Sequence, residues 1–231
     1  MRRLLLALST ILVMHALVGT TSAYAQQSLN LSVGGFVPRG EDARVRGDVL
    51  FNDLNFFLFD IDKFKSGTVG AEWLIAVNER VEVGLGLGLY SRTVPSTYAD
   101  LVNEDTSEIE QRLKLRMVPF TASFRLLPFG RRAAVQPYVG AGVGVVSWRY
   151  TETGDFVDFD GFIFHDRFVG SGSSTGPLIV GGVRFPVGSV DIGFETRHQS
   201  GEGKLDPRDF VGATKVDLGG FSYLATVNIR F

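Results

Sequence analysis

Counting back from the C-terminus, Phe231, Ile229, Val227, Ala225, Tyr223 and Phe221 alternate with Arg230, Asn228, Thr226, Leu224 and Ser222. A period of two is the mark of a β-strand with one apolar face, because successive side chains of a strand point to opposite sides. The same alternation recurs along the chain. A first strand is expected at about Ser28 to Val37, with Leu29, Leu31 and Val33 on one face. A second, at about Thr68 to Val77, sets Val69, Ala71, Trp73, Ile75 and Val77 against Glu72. The third is the clearest: Val81, Val83, Leu85, Leu87 and Leu89 oppose Glu82, three glycines and Tyr90.

The fourth strand, about Ile109 to Leu127, begins with Leu113, Leu115 and Met117 apolar and ends with Phe120, Ala122, Phe124 and Leu126 apolar. That change of parity falls at Val118-Pro119. Proline cannot donate to a ladder, so a bulge is expected there. The fifth strand spans about Ala134 to Tyr150, the sixth about Pro177 to Phe185, and a seventh starts at Val190. The tail is the eighth. Short turns at Asn78-Glu79-Arg80, Pro128 to Arg132 and Pro186 to Ser189 join some of these segments. Long connections at about Pro38 to Gly67, Thr93 to Glu108, Thr151 to Gly176 and Gln199 to Thr214 join the others.

Ahead of the strands, Met1 to Ala25 has the make-up of a signal peptide. Arg2 and Arg3 precede the apolar run Leu4 to Val18, and Ala23-Tyr24-Ala25 offers a small-x-small cleavage site. The run is shorter than the roughly 20 apolar residues of a spanning helix. The expected division is therefore a signal peptide at 1–25 and a single β domain at 26–231. There is no cysteine, so neither a disulfide nor lipid attachment at a cleavage-site cysteine is expected. Loss of Arg2 and Arg3 takes the net charge from −2 to −4. That is too mild and too mixed in sign for a nucleic-acid partner. Past the signal segment no stretch is long and apolar enough for a membrane helix. A membrane-spanning mature chain must then be a closed barrel, since lipid cannot satisfy an open sheet edge.

Three stretches carry a family resemblance: GLGLGLYSR at Gly84 to Arg92, QPYVGAGVGVV at Gln136 to Val146, and the terminal strand. With them the mature chain resembles the small bacterial outer-membrane barrel proteins that include the OmpX-like and OmpW-like groups. The resemblance implies an all-β fold, an eight-stranded antiparallel up-and-down transmembrane β-barrel, with ten strands if the Phe-rich first connection adds two. It implies export to the bacterial outer membrane and contact with outer-membrane lipid and lipopolysaccharide. It also implies recognition by the barrel assembly machinery through Phe231, Ile229 and Tyr223. No cofactor is implied.

Inside such a barrel the inward faces bring together Glu72, Glu82 and Glu195 with Arg112, Arg116, Arg125, Arg184 and Arg197. An eight-stranded barrel has an interior about wide enough for side chains to fill it. A paired network that plugs the lumen is therefore expected, with a narrow polar pore as the alternative. His198-Gln199-Ser200 resembles the His-x-Ser pair of outer-membrane lipid A deacylases. It lacks the Asn that follows in that motif, and no Glu comes after Glu202. The tripeptide Arg46-Gly47-Asp48 matches the integrin-recognised sequence. The run Leu50 to Phe64, with five Phe, suits a lid or a local core better than a free loop. Asp155, Asp158, Asp160 and Asp166 lack the spacing of a calcium loop and suit solvated acids or lipopolysaccharide-bridging cations. No metal site is expected.

These features together imply a non-enzymatic protein that works through its surface loops. A narrow channel for small, even hydrophobic, solutes is the alternative, and an esterase acting on lipid A a distant third.

Overall fold

The alternating segments close into a ring in the computed structural model, which describes residues 26–44, 46–210 and 212–231. The segment read as a signal peptide lies outside them. In chain order the strands are β1 (Gln27–Pro38), β2 (Phe57–Leu58), β3 (Ser66–Asn78), β4 (Val81–Val102), β5 (Glu108–Leu126), β6 (Gln136–Val157), β7 (Ile163–Val187), β8 (Val190–Gln199), β9 (Glu202–Lys204), β10 (Lys215–Asp217) and β11 (Gly220–Arg230). A short α-helix, α1 (Val49–Asp53), lies between β1 and β2. The ring runs β1-β3-β4-β5-β6-β7-β8-β11, every pair antiparallel, and β11 returns to β1 with Leu31 opposite Val227. The fold is thus an eight-stranded up-and-down barrel. β2 adds two residues to the edge of β4, with Phe57 opposite Tyr98, and stays outside the ring, so the ten-strand alternative does not hold.

The expected bulge at Val118-Pro119 is absent. β5 faces its even-numbered residues outward from Glu108 to Leu126 without interruption, and its register against β4 is the same above and below the proline. What changes there is the solvent. Below it, β5 turns Phe120, Phe124 and Leu126 outward and Ser123 and Arg125 inward. Above it, the outward residues are Arg112, Lys114 and Arg116, and the inward ones are Leu113, Leu115 and Met117. The lower half is inside-out and the upper half has the polarity of a water-soluble protein. A one-residue bulge and an inversion of environment leave the same trace in a sequence, since either exchanges the two faces.

In the lower half, Trp73, Leu85, Phe124, Val139, Ile192, Phe194 and Tyr223 all stand at least half exposed or nearly so on the outer wall. A continuous apolar band of this kind around a polar interior is the surface of a transmembrane barrel. In the upper half the strands run on past this band. The connections expected at Thr93 to Glu108 and Thr151 to Gly176 are therefore mostly strand. Residues 103–107 and 158–162 alone form the tips of the β4–β5 and β6–β7 hairpins. The connections at 39–65 and 200–219 fold inward instead. Val49, Leu50, Ile61 and Phe64 from the first meet Leu205, Phe210, Val216 and Leu218 from the second. Both pack on Leu113, Leu115, Met117, Trp148 and Tyr150 of the wall, in one buried apolar cluster. The upper barrel is thereby stoppered by its own loops, a head with a conventional core driven by burial of apolar surface.

Asp48 fastens the stopper. Its side chain caps α1 by accepting from the Phe51 N–H at 3.2 Å. It forms a fully buried ion pair with Arg44 at 2.7 Å, and it accepts from the Asp217 N–H at 2.6 Å. Beside it the carbonyl of Gly47 accepts from both Thr214 and Lys215. That approach needs Gly47 at φ 85°, a conformation costly for residues with a side chain. Asp48 of the Arg46-Gly47-Asp48 tripeptide is fully buried, which leaves no carboxylate for an integrin-type contact.

Candidate functional site

Two sites of chemistry lie along the barrel axis, one in the lumen of the lipid-facing half and one in the head. The first is built from inward positions whose alternation is fixed by the apolar outer wall. Arg125 on β5 is fully buried and holds Glu72 of β3 and Glu195 of β8, the latter at 2.9 Å. Arg197 of β8 closes the circuit to the same two carboxylates, reaching Glu72 at 2.7 Å. A second group pairs Arg184 of β7 with Glu82 of β4, and Arg131 joins it at 3.2 Å. Several of these bonds cross three strands of an eight-strand ring and so span much of its bore.

Between the two groups lies Tyr138 of β6. Its hydroxyl donates to Glu195 at 2.7 Å, and its ring is flanked by the Arg125 and Arg184 guanidinium groups at 4.9 and 4.7 Å from the centroid. The position opposite Glu195 on β7 is Gly182, where an added Cβ would lie 2.5 Å from the Tyr138 hydroxyl. Ser123 adds a further bond, donating to Glu72 at 2.8 Å. Tyr138, Ser123 and Arg131 are not among the network residues expected from the sequence. The parity of β5 and β6 would have found the first two, and Arg131, in a turn, has no periodic signal. Six of the eight expected network residues are brought together: Glu72, Glu82, Arg125, Arg184, Glu195 and Arg197. Arg112 and Arg116 are not. They belong to the upper half of β5, where the even-numbered residues point into water, and both are exposed on the outer wall.

There they form part of a basic belt just above the apolar band. Arg116 sits directly across from Arg149 of β6, and Lys114 and Arg112 follow on the same face. Like charges opposite one another on a sheet are destabilising unless something anionic is nearby.

The His198-x-Ser200 pair does not assemble. Ser200 Oγ accepts a hydrogen bond from Arg39 at 2.7 Å, and Arg39 also pairs with Asp217 at 3.2 Å. His198 packs its ring on Phe221, 4.7 Å between centroids. A serine whose oxygen accepts from a guanidinium, with no bond to the neighbouring imidazole among the described residues, lacks the base that a nucleophile needs. Tyr223 and Ile229 face outward from β11, and the Phe231 N–H donates to the Gln27 carbonyl at 3.0 Å. Asp158 of the acidic hairpin folds its own tip, accepting from the Asp160 and Phe162 N–H groups. Among the described residues no cluster has the make-up of a metal site.

The second site lies above the apolar band, where β6 turns Arg149 rather than valine outward. Asp53 ends α1 against Tyr150 and Glu152 of β6, and Tyr150 donates to Asp53 at 2.8 Å. Burial pushes both carboxyls well above the ordinary range, and the charge of Glu152 pushes Asp53 further. Asp48 behind α1 and the Tyr98 hydroxyl on β4 add no compensating positive charge. The docked loop therefore holds protons that the unfolded chain releases near pH 4. Its stability is full at low pH and falls as pH rises from there through the raised values. Protease cleavage within residues 39–65 of the folded barrel is expected to speed up from about pH 5 to about pH 8. Asp53→Asn is expected to flatten the dependence; a steeper one in that variant would show the pair to be wrongly identified.

No family model and no curated protein sequence matches the chain. Among solved structures, the outer membrane protein OprG from Pseudomonas aeruginosa is similar at a TM-score of 0.54 and 14% identity, over 90% of this chain and 96% of that one. Neisserial surface protein A gives 0.47 at 12% identity over 89% of this chain and 97% of its own. The N-terminal β-barrel domain of Pseudomonas aeruginosa OprF gives 0.45 at 12% over 90% and 99%. At 14% identity the similarity to OprG is one of fold.

Proposed function

From the fold that this chain shares with small bacterial outer-membrane barrels, we propose that it is a non-enzymatic outer-membrane protein with a closed lumen. It serves as a rigid stalk that presents a folded head at the cell surface. One observation carries the reading: the bore is bridged in its lower half by the Arg125–Glu72–Glu195–Arg197 circuit and filled in its upper half by the loop core. Charges without partners are costly in such surroundings, and here the opposite signs meet. The basic belt of Arg112, Lys114, Arg116 and Arg149 stands at the level where the phosphate groups of lipopolysaccharide would lie, and an anionic headgroup would offset its self-repulsion. The strand that ends in Tyr223, Ile229 and Phe231 supplies the determinant read by the assembly machinery.

Refolded protein in a planar bilayer is expected to show no discrete conductance, with folding established by heat-modifiable gel mobility. Glu82→Gln and Arg184→Gln together should leave that silence intact, because the head still closes the bore. Steady openings in the unmodified protein would overturn the closed-lumen reading in favour of a narrow solute channel.

A further inference from the structure

At the outer end of the head, α1, the two long hairpins and residues 208–210 surround a cleft of about 390 Å³. Its walls are largely aromatic. Phe57 meets Tyr98 edge to face with ring centroids 5.0 Å apart, Phe156 meets Phe168 in the same way at 5.0 Å, and Phe56, Phe159, Phe164 and Phe210 add further rings. Its floor carries Asp53 and Glu152, each only 6% exposed. Tyr150 and Asp53 interact with each other and with the Glu152 side chain, but Oε1 of Glu152 has no hydrogen-bond partner among the described residues. Two more acids, Asp158 and Asp209, stand on the lining. The one basic residue among the described residues of the lining, Arg208, is exposed and held by Asp206 at 2.6 Å.

We infer that this cleft binds a small organic cation, an ammonium group carried on an apolar or aromatic body. The volume falls within the ordinary range of small-molecule sites, about 300–1,000 Å³. The charge of the floor decides the class. An anion would face two buried carboxyls. A wholly apolar molecule would fill the space between the rings but leave the buried carboxyl pair without a compensating positive charge. An ammonium above the floor supplies the positive charge that the Asp53–Glu152 pair lacks and meets the electron-rich faces of the rings. The cation takes the place of a proton on the Asp53–Glu152 pair, so binding releases a proton and tightens as pH rises. The groups that surround the pair are Asp48 behind α1, Tyr98 on β4, Tyr150 on β6, and Arg208 and Asp209 at the rim. The inference needs the head alone. A conducting lumen would leave it standing, and failure to bind would leave the closed lumen standing.

The test is calorimetric titration of the full folded barrel in phosphatidylcholine nanodiscs with phenethylammonium and with its neutral counterpart, phenethyl alcohol. Empty nanodiscs define partitioning into lipid. The ammonium is expected to bind roughly tenfold or more tightly than the alcohol, as a charge-assisted bond allows, and more tightly at about pH 8 than at about pH 6. Glu152→Gln, which keeps the shape of the floor, should remove the preference while gel mobility stays that of folded protein. Asp53→Asn serves the same purpose if the first variant does not fold. Equal binding of the two probes, binding of neither, or a preference that survives both substitutions would overturn the inference.

Discussion

Arg125→Met is expected to lower the unfolding stability of the barrel by about 3–5 kcal/mol, the usual effect of removing one partner from a buried ion pair. The side chain is fully buried, and its two carboxylate partners come from strands on either side of the bore. Arg197 alone would then face Glu72 and Glu195, leaving an excess of negative charge in a narrow interior. Methionine fills much of the same volume, so lost packing contributes little. The measurement is the denaturant midpoint of the heat-modifiable band. The attribution to charge has its own check. Adding Glu72→Gln to Arg125→Met leaves Arg197 and Glu195 as one pair of opposite charges and should restore much of the loss, since the cost lies in the uncompensated buried charge. If the double variant is no more stable than the single one, the network is not held by charge balance. The phenol of Tyr138, whose hydroxyl bonds to Glu195, would then be the group to test next.

The second large effect belongs to the head. Asp48→Ala removes the α1 cap, the partner of buried Arg44 and the acceptor for the Asp217 N–H in a single change. The uncompensated Arg44 guanidinium alone sets a scale of about 3–5 kcal/mol, with the cap adding about 1 kcal/mol. The transmembrane ring shares none of these bonds. The expected result is a barrel that keeps its gel mobility while residues 39–65 become rapidly cleaved by protease. Asp48→Asn keeps a capping oxygen and loses the charge, and should fall between. Loss of the folded band along with the loop would show that head and ring unfold as one unit.

The ring was legible in the sequence because lipid imposes a strict rule on every second residue. Val81 to Leu89 and Phe221 to Phe231 alternate without exception on the outer face, and a strand can be counted from each such segment. Where β-strands leave the lipid the rule reverses, and the reversal misleads. Leu113, Leu115 and Met117 looked like an outer face and are a core, which carried Arg112 and Arg116 into the lumen on paper and onto the outer wall in the structure. The stretch Val169 to Gly176 looked like a loop because it is rich in glycine and serine. It is the middle of β7, and Gly170 there leaves room for the loop core: a Cβ would lie 2.1 Å from Leu205 Cδ2. The charge network was legible as composition and parity, but its pairings were not. Which carboxylate meets which guanidinium depends on strand stagger, and stagger leaves no local trace. The cleft in the head was not legible at all, since its floor joins Asp53 to Glu152 across a fold of two distant connections.

The bond from Asp217 to Asp48 joins residues 169 positions apart, one just after the first strand and the other just before the last. Neither can find the other until β11 has closed on β1. Contacts of such long range form late, because chain entropy must first be overcome by the rest of the ring. The head is thus a feature of completed barrels alone. An antibody or small ligand that recognises it would count finished molecules in the membrane and pass over chains that stalled during insertion.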